Sequence, residues 1–134
     1  MNVLIIDGQG GGMGKQLVSA IKDRCHDVTI TAVGTNSVAA SAMMKAGAHN
    51  TATGENAVIV GCRKADVIIG PVGIVIADSL FGEITPSMAL AVSQSNAKRI
   101  LIPVNHCDNL IAGVDNKPMG ALIEDAVNML ISLI

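Results

Sequence analysis

Residues 8–14 read Gly8-Gln9-Gly10-Gly11-Gly12-Met13-Gly14, five glycines in seven positions. Their chemistry is that of a backbone anion site. Glycine adopts positive φ, lets a ligand come close to the main chain, and leaves N–H groups unpaired where a helix begins. The N-terminus of that helix adds roughly half a positive charge. Lys15 follows in what reads as the first helical turn, where a cation opposes the dipole by about 0.3–1 kcal/mol unless an anion lies near. A phosphate suits this stretch.

Specific phosphate templates narrow the reading. A P-loop needs glycine five places before Gly14 and Ser or Thr after Lys15, and the chain has Gln9 and Gln16 there. The dinucleotide pattern G-x-G-x-x-G also fails, because its third glycine falls on Met13. Gly8, Gly10 and Gly14 give G-x-G-x-x-x-G, and Gly8, Gly12 and Gly14 give G-x-x-x-G-x-G. On this reading Gly12→Val or Gly14→Val removes ligand binding and leaves the protein folded.

Other groups bear on the same chemistry. Gly34-Thr35-Asn36-Ser37 offers Thr35 and Asn36 as neutral ribose contacts, with no acid or arginine to choose between NAD and NADP. Gly70-Pro71-Val72-Gly73 is a second glycine-containing turn. Glu83 is a candidate acid/base on a lid. His106 and Cys107 are adjacent, but neighbours on an extended segment point opposite ways, so adjacency does not make a catalytic dyad. Cys25, Cys62 and Cys107 fit no zinc or redox spacing, and no metal is expected.

These groups must be positioned by alternating strands and helices. Val3 to Ile6 is an unbroken apolar run ending at Asp7, which predicts a strand buried on both faces. A helix from Lys15 follows, then a strand over residues 28–33 and a helix over 38–46 stopped by Gly47. Residues 50–52 form a brief strand. Thr53 caps a helix that runs to Lys64, and 66–69 are a strand. Ile74 to Leu80 reads as a helix, and Thr85-Pro86 opens another. A strand at 99–104, with Pro103 near an edge or the strand end, precedes a short strand around 110–112 and a helix over 118–131. The pattern predicts a single α/β domain over residues 1–134, a Rossmann-like three-layer sandwich. Its sheet is mostly parallel, with five or six strands ordered 3-2-1-4-5. In that order the four loops after the main strands gather at one sheet edge.

Composition sets limits. The net charge is −2 with no dense basic stretch, and Phe81 is the sole aromatic, so nucleic acid is a poor partner. The apolar run Val67–Ala77 is far short of a membrane span and is broken by Pro71. The first apolar run is interrupted by Asp7, unlike a signal peptide, and the cysteine usage suits a reducing cytoplasm. The apolar C-terminal helix is a candidate homodimer surface.

The spacing of Gly8, Gly12 and Gly14, together with Asp66 to Gly73, resembles the cofactor loop and fourth strand of short-chain dehydrogenases. That family's catalytic Tyr is missing, since the chain has no Tyr. Ile6-Asp7-Gly8-Gln9-Gly10-Gly11-Gly12, Val33-Gly34-Thr35-Asn36, Ala52-Thr53-Gly54-Glu55-Asn56, Gly82-Glu83-Ile84-Thr85-Pro86 and Ile102-Pro103 resemble a bacterial family, domain-of-unknown-function family 3842. That resemblance implies a compact bacterial cytoplasmic protein and brings no catalytic residues. The expected function is binding of a nucleotide or dinucleotide, with NAD or NADP the best fit. Asp7 through Lys15, Thr35, Asn36 and Gly70 through Gly73 form the expected site. The alternatives are an enzyme on a small phosphorylated or carboxylate metabolite, using Glu83 or His106 and Cys107, and a ligand-free oligomeric subunit.

Overall fold

The computed structural model of the chain describes residues 1–104 and 108–134. Five strands form one sheet: β1 (Asn2–Asp7), β2 (Thr29–Gly34), β3 (Asn50–Thr53), β4 (Val67–Pro71) and β5 (Lys98–Ile102). Their order is β3-β2-β1-β4-β5. Every pairing is parallel; Val3 lies opposite Ile30 on one side and Val67 on the other. Central β1 and β4 carry continuous apolar runs because both of their faces are covered.

Helices α1 (Gly12–Arg24), α2 (Ser37–Lys45) and α5 (Met119–Ser132) cover one face. Leu17, Val18 and Ile21 of α1, Met43 of α2, and Ile123, Val127 and Leu130 of α5 pack there on Val3, Ile5 and Ile69. Helices α3 (Glu55–Lys64) and α4 (Pro86–Gln94) cover the other face. Val58 of α3, with Met88 and Val92 of α4, meets Leu4, Ile6 and Ile68. Because successive side chains of a strand point to opposite faces, β1 and β4 each feed both cores.

Several expectations need correction. The first helix begins at Gly12 rather than Lys15, with left-handed Gly11 as its N-cap. Thr53 does not cap α3: it is the last residue of β3, and Gly54 is the cap at φ 99°, a conformation suited to glycine. Residues 74–80 are not a helix. One 3-10 turn over Val72–Val75 is followed by turns in which Asp78, Leu80 and Phe81 are left-handed. The Ser79 hydroxyl donates to the Gly73 carbonyl, and Leu80 and Ile84 are drawn into the core. Side-chain capture of the backbone and burial of separated apolar residues thus replace the helical ladder. Residues 110–112 form no strand; Leu110 is 93% exposed and has nothing to pack on. Among the described residues the sheet therefore has five strands, with Pro103 just beyond the end of edge strand β5.

The entry to α4 follows the sequence reading. Thr85 accepts a hydrogen bond from Met88 N at 3.1 Å, and Pro86 takes the first helical position.

Candidate functional site

The sheet reverses winding direction between β1 and β4, so the loops after these strands flank a crevice, the position where doubly wound folds bind ligands. Asp7, the last residue of β1, is only 6% exposed. Its Oδ1 accepts from Gly8 N at 2.8 Å and its Oδ2 from Gly14 N at 2.7 Å. Burial pushes the Asp7 carboxyl above its ordinary range. The two backbone hydrogen bonds oppose that push, and nearby Glu83 adds to it. Asp7 therefore braces the glycine loop across its full length, and both of its oxygens are committed to that bracing.

The loop itself is tightly turned. Gly11 N donates to Gly8 O at 3.0 Å, and Gln9 is held at φ 51°. A left-handed non-glycine residue costs roughly 1–2 kcal/mol. The glycines divide into two kinds. A Cβ on Gly8 would lie 2.6 Å from Thr35 Oγ1, one on Gly14 would lie 2.5 Å from Met43 Sδ, and one on Gly11 would lie 2.8 Å from Ala39 Cα. Those three are required by packing. A Cβ on Gly10 or Gly12 would meet nothing within 4 Å.

The donors divide in the same way. The N–H groups of Gly8, Gln9, Gly11 and Gly14 have acceptors within the protein. Among the described residues, those of Gly10, Gly12 and Met13 have none. The N-cap residue Gly11 has no side chain to cap α1, whose first turn holds no acid; Asp7, from the end of β1, accepts from Gly14 N alone among the first-turn N–H groups. Lys15 is exposed, and the one ion pair among the described residues is Lys117–Asp125.

Glu83 reaches across from the segment between β4 and α4. Its Oε1 accepts from Thr35 Oγ1 at 2.7 Å, from Asn36 Nδ2 at 2.6 Å and from Gln9 N at 3.1 Å. Among the described residues its Oε2 has only the 3.2 Å share of the Gln9 N–H. Burial raises the Glu83 pKa, but the hydrogen bonds from Thr35, Asn36 and Gln9 together outweigh it and hold the carboxyl below its ordinary value. Asn36 also donates to Gln9 O at 2.9 Å, and its Oδ1 caps α2 by accepting from Ala39 N at 2.8 Å. Asn36 is thus fully engaged as a positioning group.

The segment that carries Glu83 is strained. Asp78, Leu80 and Phe81 have φ of 65°, 56° and 56°, followed by Gly82 at 86°. Asp78 N donates to Ile84 O at 2.7 Å and Ile84 N to Ser79 O at 3.2 Å, closing the segment on itself. Leu80 fits above Gly8, where its Cδ1 would lie 3.0 Å from an added Cβ. Phe81, at the tip, is 98% exposed.

The structure therefore brings Asp7, Gly8–Gly14, Thr35, Asn36 and Glu83 to one place. Gly70 and Pro71 are buried residues of β4, and a Cβ on Gly70 would strike Ile6 O at 2.6 Å. Val72 and Gly73 begin the 3-10 turn. Lys15 lines an open groove of about 1120 Å³ between α1 and α2, with Ser37, Val38, Ser41 and Lys45. His106 and Cys107 lie outside the described residues. The Cys62 thiol is pushed up to about 11 by burial. Leu80 as a crevice residue had no sequence signal, since its left-handed backbone is set by tertiary packing.

Strand order, a glycine turn after β1 and a crevice at the switch point define a doubly wound, Rossmann-like α/β protein. Residues 2–134 match the family described as Domain of unknown function (DUF3842), and the chain belongs to that family. No curated protein matches it. A similar solved structure is the dodecameric FMN-dependent UbiX-like decarboxylase from Escherichia coli O157:H7, 14% identical, with a TM-score of 0.46 over 99% of this chain and 94% of that chain. Among the described residues no helix is long and apolar enough to cross a membrane.

Proposed function

We propose that the chain binds a nucleotide or dinucleotide through its phosphate at the Gly8–Gly14 loop. The observation that carries this reading is the pairing of free donors with open space. Gly10 and Gly12 have room above them, and their N–H groups, with that of Met13, have no acceptor among the described residues. They sit at the start of a 13-residue helix whose N-cap is Gly11 and where the Asp7 carboxylate meets only the Gly14 N–H. A phosphate would supply acceptors for the three N–H groups left over. NAD or NADP remains the cofactor class that suits the fold best, in a cytoplasmic protein whose α5 is a candidate homodimer surface.

Binding is better supported than turnover. Glu83 is held ionised, and its Oε1 is saturated by three donors, which suits neither a general acid nor a free base. The test is Gly12→Val. A branched side chain at this position, where an added Cβ meets nothing within 4 Å, obstructs the phosphate, so binding of NAD or ADP is lost in a folded protein. Undiminished affinity in a folded Gly12→Val variant overturns the reading.

A further inference from the structure

We infer that the Gln9 N–H, the Thr35 hydroxyl and the Asn36 amide form an oxyanion site whose present occupant is the chain's own Glu83, so that a ligand phosphate binds there by displacing it. This rests on the nucleotide reading above and adds a second phosphate contact and a direction of coupling.

The carboxylate itself reports the chemistry of the site. Three donors from two loops converge on one oxygen, Oε1, at 2.6–3.1 Å. Carboxylate and phosphate present the same kind of acceptor oxygen, so donors that hold one will hold the other. The Asn36 amide and the backbone at Gln9 and Thr35 are held without Glu83. Thr35 N is bonded to Asp7 O at 3.0 Å, Asn36 is tied to Ala39 N and Gln9 O, and the Gln9 turn is closed by Gly11 N to Gly8 O. Removal of Glu83 therefore leaves a pocket with its hydrogen-bond donors already in place.

The occupant, by contrast, is a side chain that reaches in from a strained, exposed turn. Leu80 and Phe81 are left-handed, and Phe81 is an exposed aromatic at the tip. Strain of this kind persists where a local conformation is held by its surroundings and is released when those contacts change. Departure of the Glu83 side chain releases the exposed turn at Phe81 and Gly82, while Leu80 and Ile84 stay seated in the core. Ligand binding and loosening of the turn at residues 81–83 are then one event.

The experiment is calorimetric titration of wild type, Glu83→Gln and Glu83→Ala with ADP, inorganic pyrophosphate and adenosine, each variant checked for fold by circular dichroism. Removing the internal competitor tightens ADP and pyrophosphate at least tenfold and leaves adenosine unchanged. Adding Thr35→Val to Glu83→Gln reverses part of that gain. In wild type, ADP also speeds hydrogen exchange of the Gly82 and Glu83 amides, which now bond within the segment. ADP affinity that is equal or weaker in folded Glu83 variants overturns the inference and leaves the nucleotide reading standing. Absence of phosphate binding in every folded variant overturns both.

Discussion

Asp7 and Gly14 lie at opposite ends of the glycine loop and are joined by a 2.7 Å hydrogen bond from the Gly14 N–H to Asp7 Oδ2. The bond ties the end of β1 to the first turn of α1, so the loop between them has one shape. Hydrogen bonds to a charged acceptor contribute about 1.5–3 kcal/mol each. Asp7→Ala loses two such bonds and leaves two buried N–H groups unsatisfied; we expect a loss of about 2–4 kcal/mol in a urea melt. A melt indistinguishable from wild type would refute the bracing role.

Glu83 and Asp7 depend on pH in opposite senses. The Glu83 carboxyl is lowered from 4.5, so its contribution is fully present above 4.5 and is lost as pH falls through the lowered folded value. Asp7 is raised from 3.8, so its contribution is present below 3.8 and is lost as pH rises through the raised folded value. Wild type should therefore exceed Glu83→Gln by about 1 kcal/mol at pH 7, a small figure because the site is partly exposed. That gap should close in acid below pH 4.5. A gap that widens in acid contradicts the assignment.

Two glycines that look equivalent in sequence should behave differently. Gly14→Ala forces a Cβ to 2.5 Å from Met43 Sδ and 2.9 Å from Asp7 Cβ, and overpacking of this kind costs about 1–3 kcal/mol. Gly12→Ala meets open space at the first position of α1 and should stabilise by about 0.4–1 kcal/mol, chiefly by restricting the unfolded chain. The sequence expectation that Gly14→Val would spare the fold is corrected accordingly. Thermal melts of the two alanine variants, moving in opposite directions, check this.

Phe81 has a left-handed backbone and a fully exposed side chain. Phe81→Gly removes the strain and exposes no core, so stability should rise by about 1 kcal/mol. A loss of stability would mean the ring packs on something.

The sheet was legible because buried parallel strands announce themselves as unpolarised apolar runs, and Val3–Ile6 and Val67–Ile69 are such runs. The β3-β2-β1-β4-β5 order was legible from the alternation of strands and helices, which is the pattern of a doubly wound sheet. Residues 74–80 were not legible. Their apolar content suits a helix, and the turn depends on Ser79 reaching Gly73 and on Leu80 seating over Gly8. The site was legible as a set of loops and illegible as contacts. Gln9 and Glu83 are 74 residues apart, and no local spacing relates them.

The central claim is that the crevice takes a nucleotide, and thermal shift of the wild-type protein with NAD, NADP, FAD, FMN, ATP, GTP and sugar phosphates tests it most directly. A ligand at ~100 times its Kd adds roughly 2.7 kcal/mol, a Tm rise of several degrees. The account predicts such a rise with at least one nucleotide, and its loss in Gly12→Val. A flat panel from protein shown free of carried-over ligand would contradict it.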